Sequence, residues 1–413
     1  MQPQNMSPSD RSLSLSNLQD PEVRANPYPL YHRIRSHEPV HWDEPMGFWT
    51  LTGYADIVST LRDKRIRKGQ GIAAAKERVP EEAKESAQSV FDTFSKTIVY
   101  SDPPSHTRMR GLVNKAFTPR MVMRMESHIK EIVERLLDAV QQKGRMDLIA
   151  DLAYPLPFTV IMEMLGLPGE DRQRFKKWSD DFAAVLGMVR HRPEKFHAAR
   201  GSIGEVTEYI CGMRQSLVAE PKDDLLSALA TAAEAGDRLT NEELVANALM
   251  LLAAGHETTT KLISNGLLAL MRHPEQMKKL RDEPALMASA IDELLRYDSP
   301  VQIVWRYADE DMEIGGKPVQ RGKFLNLVIG AANRDPARFS EPDRLDITRA
   351  DNDHLAFGGG IHFCPGAALA RLEGQIAIGA ILRRMPNLRL ETETLEWQES
   401  PTFRGAVSFP VSF

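Results

Sequence analysis

The stretch LTNEELVANALMLLAAGHETTTKLISNGLLALMRHP, residues 239–274, constrains the fold more than any other part of the chain. Thr240 and Glu243 have the spacing of a capping box, and Leu239 and Leu244 that of a hydrophobic staple, so a helix begins there. Pro274 marks its far end. About 33 helical residues extend roughly 50 Å, enough to traverse a whole domain. The apolar residues of 244–254 lie on more than one face, which predicts burial through the middle of the molecule. Everything else has to be arranged around this element.

Inside it, Gly255 and the run Thr258-Thr259-Thr260 are poor helix formers. Thr258 can hydrogen-bond back to the carbonyl of Ala254, which loosens and bends the ladder. A buried helix opened beside Gly255 leaves a small polar notch, with room for a diatomic molecule and a water. His256 reads as facing solvent or its own helix rather than a metal.

The second informative segment is FGGGIHFCPGAALARLEG, residues 357–374. A glycine-rich turn delivers a lone cysteine to the start of a helix, with Pro365 suited to the first helical position. A thiolate there meets the free N–H groups of the first turn and the positive end of the helix dipole. Gly358 and Gly360 would let backbone amides approach the sulfur. A lone cysteine is ordinarily a small buried hydrophobe. This flanking pattern instead suits an ionised sulfur held against something large and flat.

The pattern Phe357-Gly358-Gly359-Gly360-Ile361-His362-Phe363-Cys364-Pro365-Gly366 resembles the haem-binding signature of cytochrome P-450. The resemblance implies that Cys364 is the axial thiolate ligand of haem b, with Phe357, Gly358 and Gly366 beside the cofactor, and that thiolate donation favours O–O cleavage. Ala254-Gly255-His256-Glu257-Thr258-Thr259 resembles the family's A-G-x-[DE]-T-[TS] motif. It implies that Ala254 borders the cofactor, that Gly255, Glu257 and Thr258 are catalytic, and that Glu257 relays protons from solvent. Many relatives have Asp at position 257, so the longer arm is expected to alter the proton path.

SDPPSHTRMRGLVNKAF, residues 101–117, resembles the family's D-P-P-x-H-x-x-x-R helix. The resemblance implies that His106 and Arg110, on one helical face, meet one haem propionate. By the same comparison Arg306 and His362 supply further propionate contacts. Many relatives have Arg where His362 stands, so that contact is expected to depend on pH. Glu293 and Arg296 match the family's E-x-x-R, and Arg344 is expected to complete a buried charge triad. Leu345, where the family usually has Phe, is expected to pack more mildly.

Size and composition agree with one large enzyme unit. The chain has 413 residues, 42% hydrophobic and 26% charged, with a net charge of -5 that speaks against nucleic-acid binding. Two cysteines exclude a disulfide scaffold or a cysteine zinc site and suit a reducing compartment; Cys211 reads as a core thiol. The polar, Ser-rich N-terminus shows neither signal peptide nor membrane anchor, so a cytoplasmic location is expected.

Residues 1–26 read as a flexible lead and 27–413 as a single catalytic domain. The predicted fold is mainly α with a minor β region: the cytochrome P-450 fold, with haem between the long central helix and the cysteine helix. Residues 47–63 read as strand, turn and helix. Residues 64–95 read as a surface excursion with one helical patch at 81–94. From 104 to 274 the reading is nearly all helix, with breaks at Thr118-Pro119, 166–169, Arg192-Pro193 and Gly236. Strands follow in 311–332, and the tail from 388 to 413 is strand-like.

By family likeness, the substrate pocket draws on Ile98, Val99, Met250, Ala253, Ile303, Val304 and Phe403, all apolar, with Leu186 and Met188 on a lid. The expected activity is a monooxygenase that hydroxylates or epoxidises a hydrophobic small molecule with O2. No flavin or iron–sulfur segment is present. Two electrons are therefore expected from a ferredoxin or flavodoxin with its NAD(P)H reductase, docking at Lys115, Arg108 and Arg120. Two alternatives stay open: a peroxygenase driven by hydrogen peroxide, and a non-catalytic haem-binding sensor.

Overall fold

The central helix begins where the capping spacing requires. Glu243 N–H donates to Thr240 Oγ1 at 3.2 Å, and Thr240 N–H donates to Glu243 Oε2 at 3.0 Å. In this computed structural model, which describes residues 13–186, 192–232 and 238–413, the helix runs unbroken over Asn241–Arg272. Its two halves serve different cores. Leu244, Leu249 and Ala253 pack with Phe158, Trp178, Phe182 and Phe196. Leu262, Ile263 and Leu270 pack with Ile291, Leu294, Ile378 and Ile381. Residues 254–261 belong to neither core, so the helix carries polar and small residues where hydrophobic packing does not demand large ones.

The helices Pro155–Met164, Arg172–Ala183, Met287–Tyr297 and Ala367–Arg384 all pack against the central helix. Beside this helical body lies a five-stranded sheet in the order Val40–Asp43, Phe48–Leu51, Phe324–Val328, Ile303–Ala308, Ile66–Arg67. The pairing of Phe48–Leu51 with Phe324–Val328 is parallel and the other pairings are antiparallel. A three-stranded sheet joins Arg145–Asp147, Pro410–Ser412 and Arg389–Leu390. Mainly α with minor β is therefore the architecture, as the sequence pattern predicts.

Several local expectations change. The flexible lead gives way over its described part: Leu15 and Leu18 are buried against Tyr28, Tyr31 and Ile34, and Asp43 accepts hydrogen bonds from Ser14 and Leu15. The excursion after residue 64 holds two helices, Gly69–Lys76 and Lys84–Ser95, where one was expected. The helical region is interrupted by the strand Arg145–Asp147, whose three residues offer too short a pattern to read. Cys211 is exposed, not a core thiol. Gly236 and Met188 lie outside the described residues, while Leu186 is buried.

Candidate active site

The cysteine loop is shaped by backbone bonds and by two left-handed glycines. Cys364 N–H donates to Phe357 O at 3.0 Å, and Gly358 N–H to Leu355 O at 2.8 Å. Gly358 and Gly360 have φ of 71° and 64°, angles that L side chains rarely adopt. Gly360 is further restricted, because a Cβ there would stand 2.2 Å from the Leu61 carbonyl oxygen. The expected role of these glycines changes accordingly: the amide that points at the sulfur is that of Gly366. Gly366 is also the helix N-cap, so Pro365 precedes the helix rather than opening it. Burial pushes the Cys364 thiol above its ordinary value, opposed by the Gly366 N–H, Arg110 and Arg371. A coordinated metal ion would remove that proton outright.

Facing the cysteine across one cavity are Ala254, Gly255, Thr258 and Thr259 of the central helix. Thr258 Oγ1 donates to Ala254 O at 2.9 Å, as its spacing predicts, and Thr259 and Thr260 bond back to Gly255 and His256 in the same way. Helical pairing nevertheless continues through this stretch. The notch expected at Gly255 is partly filled: a Cβ there would lie 3.1 Å from Ile161 Cγ1.

Glu257 departs from expectation. Its side chain lines a second cavity on another side of the helix and is paired with Lys261. Burial raises the Glu257 carboxyl, but Lys261, His256 and Lys176 outweigh it and hold the group below the usual carboxylate value. His256 is fully buried rather than solvent-facing. Its Nδ1 bonds to Leu252 O at 2.9 Å, and its ring meets those of Tyr154 and Phe158 edge-on.

The rim of the first cavity is cationic. Arg110, Arg306 and His362 line it, joined by Lys68, which the sequence reading missed within its charged stretch. Lys68 is buried, its ammonium 4.6 Å from the Tyr100 ring centroid, and its backbone N–H is fixed by Asp102 Oδ1 at 2.9 Å. Burial lowers Lys68 well below its ordinary value, and Arg306 lowers it further. Burial also brings Arg306 down to about 10. His106 is buried with both ring nitrogens unpartnered, its ring 4.5 Å from that of His362. Burial, with Lys68, Arg306 and His106, pushes His362 down to about 2.

These residues fit a flat dianion carrying a metal. Buried cations and an orphaned imidazole call for anionic groups, and the Asp102 oxygens are already taken by the Lys68 and Gln70 amides. Among the described residues no group of three His, Cys, Asp or Glu side chains could hold a metal. Cys364 suits an ion whose remaining ligands come with the cofactor.

Of the expected substrate residues, Ile98, Val99, Met250, Ile303, Val304 and Phe403 line this cavity. Ala253 does not; it is fully buried in the core on another side of the helix. Leu262, Trp305 and Ile329 are among further apolar residues of the wall that were not foreseen. Asn247, which interrupts the apolar stretch, accepts from Ile98 N–H at 2.9 Å and donates to Lys96 O at 2.9 Å, fixing the loop that carries Ile98.

The charge triad forms with a different third member. Arg296 Nε and Nη2 donate to the two oxygens of Glu293 at 2.7 and 2.9 Å, both residues wholly buried. The other arginine is Arg349, whose Nε reaches Glu293 Oε2 at 3.1 Å. The Arg344 side chain instead pairs with Glu341 at the surface, and only its carbonyl reaches Arg296, at 3.2 Å. Leu345 is buried in the core.

One cysteine facing a cavity with a cationic rim defines a haem-thiolate protein. The family model for Cytochrome P450 matches residues 73–402, and the chain belongs to that family. Cytochrome P450 CYP107DY1 of Priestia megaterium is 40% identical, covering 98% of this chain and 100% of that protein. Vitamin D(3) 25-hydroxylase of Pseudonocardia autotrophica is 40% identical over 94% of each. The crystal structure of P450BioI with a hexadec-9Z-enoic acid-ligated acyl carrier protein superposes with a TM-score of 0.88 at 37% identity, covering 95% of this chain and 100% of that one. The chain is thus a haem b monooxygenase, an oxidoreductase that incorporates oxygen. Among the described residues no helix is long and apolar enough to cross a membrane.

Proposed function

We propose that this monooxygenase hydroxylates or epoxidises a hydrophobic small molecule seated over Cys364, with residues 27–413 acting as one catalytic domain. The observation that carries the reading is one cavity with Cys364 at its floor, cations on its rim and aliphatic or aromatic side chains on its walls. Cys364 ligates the cofactor iron. Lys68, His106, Arg110, Arg306 and His362 hold the propionates, while Phe357, Gly358, Gly366 and Ala254 border the ring. Bound there, haem with a thiolate ligand supplies the activation and cleavage of dioxygen.

The chain's own groups do the rest. Ile98, Val99, Met250, Ile303, Val304 and Phe403 exclude water and orient an apolar substrate. The Thr258 hydroxyl holds a proton at the Ala254 carbonyl and turns from there to present it to the cavity. Gly255 lets that stretch of helix sit close to its neighbours, and Glu257 draws protons from the second cavity. The hydroxylase activity named for the vitamin D(3) relative and the fatty acyl group bound to the P450BioI partner both match an apolar pocket of this kind.

Electrons come from a ferredoxin or flavodoxin and its NAD(P)H reductase, docking at the exposed Lys115 and Arg120. Arg108 is not part of that patch, because its guanidinium is paired with Glu243. Reversing the charge of Lys115 and Arg120 should slow reduction and flatten its salt dependence; unchanged kinetics would refute the docking site. Two unpaired cysteines suit the cytoplasm.

The decisive test is spectroscopic. The reduced, carbon-monoxide-treated protein should show the red-displaced Soret band of a thiolate complex. Cys364→Ala should abolish both band and turnover. Retention of either in that variant, or a colourless parent protein, overturns the reading. Turnover with hydrogen peroxide but none with a redox chain would make the protein a peroxygenase instead.

A further inference from the structure

Lys261 is a buried lysine on the central helix, 1% exposed, and its ammonium is paired with Glu257 one turn earlier. A side chain of this kind is costly to bury unless its charge is matched. Its carbon stem has a made-to-measure seat: a Cβ on Gly405 would lie 2.8 Å from Lys261 Cγ and 3.2 Å from Cε. The backbone that carries Gly405 is itself pinned. Asn265 donates to Arg404 O at 2.9 Å, Arg404 Nε donates to Asp298 Oδ1 at 2.7 Å, and Gln302 N–H donates to Thr402 O at 2.7 Å. The lysine therefore has little freedom, and neither has the carboxylate it holds.

The direction of that carboxylate matters. Glu257 and Lys261 line a cavity of about 920 Å³, whereas Thr258 lines the one above Cys364. Leu186, Ile303 and Phe403 border both spaces. Around the pair stand Lys176 and Asp180 of the helix Arg172–Ala183, with Tyr154 donating to Asp180 Oδ1 at 3.0 Å. The larger cavity thus has polar groups on its wall next to Glu257, while the smaller one is apolar beneath its cationic rim.

We propose that Lys261 is the positioning residue of the proton relay, holding the Glu257 carboxylate at the larger cavity, where protons are taken up from solvent, until it turns toward Thr258. The proposal rests on the reading of Glu257 as the relay. Each uptake adds one proton to a Glu257 oxygen, weakens the pair with Lys261, and frees the acid to give that proton to the Thr258 oxygen as the Thr258 hydroxyl releases its own proton into the cavity above Cys364; Glu257 then returns as a carboxylate to Lys261.

The experiment uses the holoenzyme with a reconstituted redox chain and an accepted substrate. It compares the parent, Lys261→Met, Glu257→Gln, the double variant and Gly405→Ala. Lys261→Met should lower coupled kcat roughly tenfold and raise both peroxide yield and the solvent isotope effect, with KM unchanged. In the Glu257→Gln background the same change should add less than about twofold, because Lys261 acts through that carboxylate. Gly405→Ala, which displaces the lysine stem and leaves both charges in place, should shift all three readouts the same way. Equal effects of Lys261→Met in both backgrounds, or parental kcat and isotope effect in the Lys261 and Gly405 variants, would overturn the proposal alone. A parent without the thiolate band would overturn the underlying reading and this proposal with it.

Discussion

At Thr258 the side-chain hydroxyl is directed at Ala254 O, 2.9 Å away. A proton held there is protected from the substrate side until the side chain rotates. Thr258→Ala should therefore leave substrate binding intact, lower product formed per electron pair by roughly tenfold or more, and divert electrons to peroxide. Thr258→Ser should keep most of the coupling. Product and peroxide measured against NAD(P)H consumed decide the matter. At this scale much of the site was legible, because Cys364, His106, Arg110 and Thr258 lie in short runs whose spacing is local. Lys68 was not: it is one cation among several in KRIRKGQG, and what holds it is distant in sequence, with Asp102 on its backbone amide and the Tyr100 and Trp305 rings beside its ammonium. The direction of Glu257 was equally hidden, since it depends on Lys261 finding room beside Gly405.

Between elements, buried charge is the main organiser. Glu293 accepts from Arg296, Arg349, Asn352 and the Asp346 backbone, so the helix Met287–Tyr297 is tied to the segment that leads into the cysteine loop. The motif Glu293-x-x-Arg296 was readable, but its completing arginine was assigned five residues too early. A loop has no fixed periodicity, so which of Arg344 and Arg349 turns inward depends on the chain's path. The two variants should separate cleanly. Arg349→Ala removes a donor from a buried carboxylate and should cost about 1–3 kcal/mol. Arg344→Ala, which loses only an exposed pair with Glu341, should stay within about 0.5 kcal/mol. Urea unfolding with the haem Soret band as probe measures both; equal losses would contradict the assignment.

Across the whole molecule, the chain's end is returned to its middle. The strand Pro410–Ser412 pairs with Arg145–Asp147, and Asp147 Oδ1 also accepts from Ile149 and Ala150 at 2.9 and 3.1 Å. Burial raises the Asp147 carboxyl, but Ser408 and the amides of Ala150, Phe409 and Ile149 outweigh it, so the group sits below its ordinary value. A depressed folded value means that the stabilisation is fully present above the unfolded aspartate value of about 3.9 and is lost as pH falls through the folded value. Acid unfolding followed by circular dichroism should thus show a shallower loss of stability below about pH 4 in Asp147→Asn than in the parent; identical slopes would exclude a role for the Asp147 carboxylate in tying the two strands.

The amino-acid sequence by itself determined the long central helix, the cysteine turn and the family, because caps, glycine-dependent angles and motif spacings act within a few residues. The tertiary structure alone decided that Lys68 joins the rim, which arginine completes the charge cluster, and which cavity Glu257 faces. Those choices turn on desolvation: a buried charge is stable only beside a partner, and the partner can be any residue that folding brings near.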